Sequence, residues 1–117
     1  MKIAVCAGEK SGDALGYELL YDLNKNNKNI EIIGVGGSLM ESQGFKSFFP
    51  IKEISYMGLV DPLMNLSKIL KLRKNFINYL KKENPDIFIG IDSPSFNSGI
   101  CKALRKDTDI KTVQYVC

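Results

Sequence analysis

The chain has 117 residues, enough for one domain with a single core. Hydrophobic residues make up 44% and charged residues 25%, a globular rather than a disordered composition. The net charge of +3 is too small to call for a nucleic-acid partner, and the lack of any histidine excludes Ser-His-Asp, Cys-His or histidine-metal chemistry confined to this chain. The charge is unevenly spread. Residues 1–60 hold six Lys/Arg against seven Asp/Glu, a net of −1, whereas residues 61–117 hold ten against six, a net of +4. That asymmetry points to an anionic surface partner for the second half.

The first element is a strand over about residues 2–7, from the apolar run Lys2-Ile3-Ala4-Val5-Cys6. The run is too short for a signal peptide. No apolar stretch approaches transmembrane length. A polar turn, Ala7-Gly8-Glu9-Lys10-Ser11-Gly12-Asp13, leads into a helix from Ser11 to about Asn26. Ala14, Leu15, Leu19, Leu20 and Leu23 give that helix an apolar stripe. Ser11 suits its N-cap, and Asp13 in the first turn complements the helix dipole.

Strand 2 is Glu31-Ile32-Ile33-Gly34-Val35, followed by Gly36-Gly37 and a short helix around Ser38–Ser42. Residues 44–50 read as a short strand or an extended segment. A long basic helix runs from about Pro62 to Glu83, and Asn84-Pro85 stops it. A strand at 87–91, a helix at 95–106 and a strand at 112–116 complete the order. Strands alternating with helices predict βαβ units, hence an α/β fold with a parallel, doubly wound sheet and helices on both faces. There is no internal repeat, low-complexity segment or linker, so residues 1–117 read as a single unit. Cys6, Cys101 and Cys117 form no C-x-x-C pair and read as reduced thiols of a cytosolic protein, with no metal site.

Three segments carry chemistry. The first turn fails the dinucleotide fingerprint, because its glycines fall at 8, 12 and 16 and strand 2 ends in Val35-Gly36-Gly37 without an acid. It also lacks the P-loop spacing, so neither NAD nor Walker-type hydrolysis fits and no cofactor is implied. Gly8 and Gly12 still let the backbone approach a ligand closely. Glu9, at the end of a buried strand, sits where carboxylates often act on substrate. The plainer reading is a structural tight turn.

The second segment, Gly90-Ile91-Asp92-Ser93-Pro94-Ser95-Phe96-Asn97, sets Asp92 just past a buried strand. There it can accept a proton from a substrate hydroxyl as a general base, or simply cap the turn. Pro94 fixes the turn, and Ser95 or Asn97 can cap the next helix.

The third segment spans Met57 to Lys82. From Pro62 to Lys82 it holds six basic residues (Lys68, Lys71, Arg73, Lys74, Lys81 and Lys82) and no acid. Leu59, Val60, Leu63, Met64, Leu66, Ile69, Leu70 and Leu72 exceed what one core-facing stripe needs. Such a helix can lie on an anionic membrane surface, or serve as a core helix with a solvated basic face.

In chain order, Gly8-Glu9-Lys10-Ser11-Gly12-Asp13-Ala14-Leu15-Gly16, Gly34-Val35-Gly36-Gly37, Phe49-Pro50, Met57-Gly58-Leu59-Val60-Asp61 and Pro85 through Asn97 resemble the N-terminal part of the lipid-A-disaccharide synthase family of bacterial inverting glycosyltransferases. The resemblance covers essentially the whole chain. It implies the first of two Rossmann-like lobes (the GT-B architecture) with the active site in the cleft between them, and no metal. The implied reaction moves diacylglucosamine from UDP-diacylglucosamine to the 6-hydroxyl of diacylglucosamine 1-phosphate, releasing UDP.

Carried onto this chain, Asp92 becomes the base. Gly8, Glu9, Ser11, Gly12, Asp13, Ser93 and Asn97 become substrate-binding residues. Leu59, Val60, Leu63, Leu66, Lys68, Ile69, Leu70, Lys71 and Arg73 become a face toward the anionic cytoplasmic side of the inner membrane. Lys10 stands where the family has a small or neutral residue, and Ser93 and Ser95 replace its commoner Ala and Asp. The family continues beyond the position of Cys117 into a donor half, so the chain reads as roughly its first third, expected to be inactive alone. The alternative is a lipid-binding module that keeps only the acceptor lobe.

Overall fold

The computed structural model describes residues 1–27, 29–54 and 62–115, with side chains of the long helix described from residue 66 onward. The expected Met57-Gly58-Leu59-Val60-Asp61 segment, the side chain of Leu63 and the chain end at Val116 and Cys117 lie outside the described residues. Among the described residues four parallel strands form the sheet: β1 (Lys2–Ala7), β2 (Glu31–Val35), β3 (Ile87–Ile91) and β4 (Lys111–Tyr115). Helices described between them are α1 (Lys10–Asn26), α2 (Ser38–Glu41), α3 (Pro62–Glu83) and α4 (Pro94–Asp107).

Strand order is β2-β1-β3-β4. The chain therefore travels one way from β1 to β2 and the other way from β2 through β3 to β4. When all crossovers share one hand, opposite directions of travel put their helices on opposite faces. The core divides that way. Ile3, Val5, Ala7, Ile32, Ile89 and Ile91 pack with Leu20 of α1 and Met40 of α2 on one face. Ala4, Cys6, Ile33, Val35 and Phe88 pack with Phe76 and Leu80 of α3 and with Phe96, Ile100 and Leu104 of α4 on the other. The alternation along β1 is the period-two pleat of a strand buried on both sides. The expected α/β, doubly wound sheet is thus observed.

Boundaries differ where side chains do something other than expected. Helix α1 begins at Lys10 with Glu9 as its N-cap, two residues before the expected Ser11 cap. Helix α4 begins at Pro94 after Ser93, which caps with no side-chain hydrogen bond, so neither Ser95 nor Asn97 serves as the cap. Residues 44–50 form no strand. Phe48 donates its N–H to the Gly34 carbonyl at 2.7 Å, and its ring stacks on Tyr79 at 4.3 Å, so aromatic packing on α3 replaces strand pairing. The stop after α3 is as expected, with Asn84 at φ 47° donating its N–H to the Leu80 carbonyl.

Gly34, mid-strand opposite Val5, has φ +136°, and a Cβ there would overlap the Val5 carbonyl oxygen. Gly34→Ala is expected to lower stability by about 1–3 kcal/mol from strain alone. A denaturant midpoint equal to that of the wild type would contradict this. Burial pushes the Cys6 and Cys101 thiols up, which keeps both protonated and unreactive inside the core.

Candidate functional site

Because the chain leaves β1 toward β2 and leaves β3 toward β4, the crevice beyond the carboxyl ends of β1 and β3 is the switch point of the sheet. Ligands of open α/β folds bind in that crevice. The two polar turns singled out in the sequence are the ones that end β1 and β3, and they touch. A Cβ on Gly8 would overlap the Ser93 hydroxyl, and one on Gly12 would sit 3.4 Å from the Ile91 carbonyl and 3.5 Å from the Asp92 Cβ. Glycine at position 8 leaves room for the Ser93 side chain, and Gly12 brings the first turn of α1 into contact with the end of β3.

Asp92 is half-buried at the floor of this crevice. Its backbone is left-handed, with φ 53°, and Ser93 follows at φ 43°. Two successive non-glycine residues in that region are held at a cost of order 1–3 kcal/mol each, and persist where the surroundings over-determine them. Here the Asp92 N–H donates to the Tyr115 carbonyl at 3.0 Å, tying the turn to β4. The Asp92 carbonyl accepts from Asn97 Nδ2 at 2.8 Å. The carboxylate accepts from the Ser11 hydroxyl at 3.3 Å across the crevice. Since Glu9 rather than Ser11 caps α1, the Ser11 side chain is available for that contact.

Asn97 and Asp13 are buried in structural work. Asn97 is fully buried and its amide donates to the carbonyls of Cys6 (3.1 Å) and Asp92 (2.8 Å), with a longer contact to Ile91 (3.5 Å). It staples the end of β1 to the end of β3. Asp13 accepts from the N–H groups of Gly37 at 2.9 Å, Met40 at 3.0 Å and Leu39 at 3.2 Å. Its carboxylate is therefore the N-terminal cap of α2, supplied from α1 rather than from the local sequence. Glu9 and Ser11 are exposed at the rim.

Beside the Asp92 turn lies a cleft of about 400 Å³ between α3 and the start of α4. Leu66, Ile69, Leu70, Ile54 and Phe96 make it apolar, and Glu9, Arg73, Ser93 and Ser95 supply polar groups. Leu66 and Leu70 are 51% and 43% exposed, and Lys68 and Lys71 are exposed beside them, while Ile69 packs against the core. Arg73 does not extend into solvent with these lysines. It folds back on α4 and donates to the Ser95 carbonyl at 3.4 Å. Sequence reading grouped Arg73 with its basic neighbours, because nothing in a helical charge pattern reveals a contact with a glycine on another helix. The role of Asn97 as a staple was equally hidden, since it depends on strands brought together only by folding.

A larger cavity, about 460 Å³, lies past β2 and is lined by Gly36, Gly37, Lys46, Phe48 and Lys52 among others. Its glycine amides are already committed, Gly36 to the Ser47 hydroxyl and Gly37 to Asp13. The two backbone amides of that glycine turn are thus taken, whereas the crevice at Asp92 lies at the switch point of the sheet. Among the described residues no helix is long and apolar enough to cross a membrane.

The family model described as lipid-A-disaccharide synthetase matches residues 3–117. The lipid-A-disaccharide synthase of Pseudomonas fluorescens is 49% identical over 116 residues, covering 99% of this chain and 31% of the relative. That of Idiomarina loihiensis is 46% identical over 115 residues, and that of Francisella philomiragia 47% over 116, each across 30% of its own length. The chain thus spans about a third of the relatives it matches. On this match along nearly its whole length, the chain belongs to the lipid-A-disaccharide synthetase family.

Proposed function

We propose that residues 1–117 form the acceptor-side lobe of an inverting glycosyltransferase of lipid A biosynthesis. Asp92 removes the proton from the 6-hydroxyl of diacylglucosamine 1-phosphate as that oxygen attacks the anomeric carbon of UDP-diacylglucosamine. A β-1,6 disaccharide forms and UDP leaves. The observation that carries this reading is the geometry of Asp92: a carboxylate at the switch point of the sheet, on a strained left-handed turn, contacted by Ser11 and opening beside an apolar cleft. Gly8, Gly12 and Ser93 shape the crevice floor, and Glu9 lies at its rim.

The donor's UDP is held mostly by the further lobe of the full-length relatives, so this chain by itself should not catalyse transfer. The test is UDP release and disaccharide formation from the two acylated substrates, measured for the full-length protein and for the 117-residue chain. No disaccharide from the full-length protein would refute the reading. Transfer by the short chain would refute the division of labour.

The same lobe rests on the cytoplasmic face of the inner membrane. Exposed Leu66 and Leu70 flanked by exposed Lys68 and Lys71 support this, as apolar groups entering the interface with cations at anionic headgroups. Leu59, Val60 and Leu63 extend the apolar face in sequence. Leu66→Ser with Leu70→Ser should reduce co-sedimentation with phosphatidylglycerol vesicles by about tenfold, from the apolar area withdrawn. Equal sedimentation of the variant and the parent would remove these residues from the membrane face.

A further inference from the structure

Arg73 is the unusual cation of this chain. Its neighbours Lys68, Lys71 and Lys74 are exposed, but its own side chain is half-buried against α4. The reason is Gly99. A Cβ at that position would overlap the Arg73 guanidinium, so the absence of a side chain on α4 is what makes its seat. One N–H of the guanidinium is used, by the Ser95 carbonyl at 3.4 Å. Among the described residues Arg73 forms no ion pair; the ion pairs found there involve Lys2 and Lys81. A guanidinium carries five N–H donors in a rigid fork, and its strongest partners are planar or tetrahedral oxyanions.

The seat faces the cleft of about 400 Å³ that runs to the Asp92 turn. Ser95, which Arg73 contacts, is three residues past Asp92. The cleft therefore has a seated cation, without an ion-pair partner among the described residues, at one place and the Glu9 carboxylate at another, with Asp92 on the turn that adjoins it. A ligand complementary to that pattern carries an anion at one end and hydroxyl groups at the other. A lipid headgroup phosphate and a sugar phosphate share the anion chemistry, but only the sugar phosphate also offers hydroxyls to the carboxylates.

We propose that Arg73, seated on Gly99, anchors the phosphomonoester of a hexosamine 1-phosphate in this cleft. Arg73 is thus a specificity-determining residue that reads the anionic end of the acceptor. The identity of the sugar rests on the acceptor-lobe reading above, whereas the recognition of a phosphomonoester rests on Arg73, Gly99 and the cleft.

The test is equilibrium binding to the 117-residue chain, followed by NMR titration with glucosamine 1-phosphate, with glucosamine, and with phosphatidylglycerol vesicles as separate probes. Glucosamine 1-phosphate is expected to shift the resonances of Ser93, Ser95 and the Arg73 Nε–H, and glucosamine is not. Arg73→Ala should weaken glucosamine 1-phosphate by about 10- to 100-fold, the loss of a charge-assisted contact. Gly99→Ala should weaken it comparably by displacing the guanidinium. Alanine suits a helix better than glycine, so that variant keeps its fold, and its melting temperature reports as much.

Undiminished binding in Arg73→Ala, or no binding by the parent chain, would overturn the proposal. So would a response of Arg73 to the vesicles but not to glucosamine 1-phosphate, which would make it a headgroup contact. None of these readouts requires glycosyl transfer, so failure of the transferase reading and failure of this one are separately visible.

Discussion

Asp92→Asn in the full-length enzyme is expected to lower turnover by about 10²- to 10⁴-fold, the range associated with removing a general base. The substitution keeps the size of the side chain and its tolerance of a left-handed backbone, where Asp92 has φ 53°. It also keeps both backbone contacts, the N–H to Tyr115 and the carbonyl to Asn97. The Ser11 hydroxyl can still donate to the amide oxygen. On the proposed base role the variant lacks the acceptor of the substrate proton, so the fall should appear in kcat more than in KM. Thermal melting of the variant should match the parent. Near-normal turnover would remove Asp92 from the base role, and a large drop in melting temperature would make it a structural residue.

Asn97→Ala is expected to destabilise the fold by about 2–4 kcal/mol, a large share of the roughly 5–15 kcal/mol typical of a domain. The fully buried amide of Asn97 satisfies the carbonyls of Cys6 and Asp92 and approaches that of Ile91. Alanine removes the amide donor from these carbonyls and opens a void under the crevice. Asn97→Asp should be worse, because it replaces the donor by a carboxylate facing the same carbonyl oxygens. Urea denaturation of the 117-residue chain measures both. An Asn97→Ala variant as stable as the parent would show that the staple is dispensable. Because one of its bonds is to the Asp92 carbonyl, the two predictions touch the same turn from opposite sides.

The order and type of the elements were legible in the residues because each depends on local periodicity. Ile3, Val5 and Ala7 alternate with Ala4 and Cys6, and such a run at strand length, bounded by a polar glycine turn, has few other readings. The stop at Asn84-Pro85 and the two glycine-containing turns followed in the same way. That these turns end neighbouring strands is decided by the β2-β1-β3-β4 order, which sets β1 beside β3.

Three assignments turned on contacts that no local pattern encodes. Asp13 reads as a residue of its own helix, yet it caps another helix 24 to 27 residues away. Ser11 reads as a cap, yet its hydroxyl reaches a carboxylate 81 residues further on. Arg73 reads as one of six like charges on a helix, yet a glycine on a neighbouring helix sets it apart. Hydrogen bonds and steric seats are short-ranged in space and blind to sequence separation. The sequence by itself therefore determined the fold and the two glycine-containing turns that follow β1 and β3. Only the tertiary structure decided which polar side chains hold those turns together and which remain free to meet a ligand.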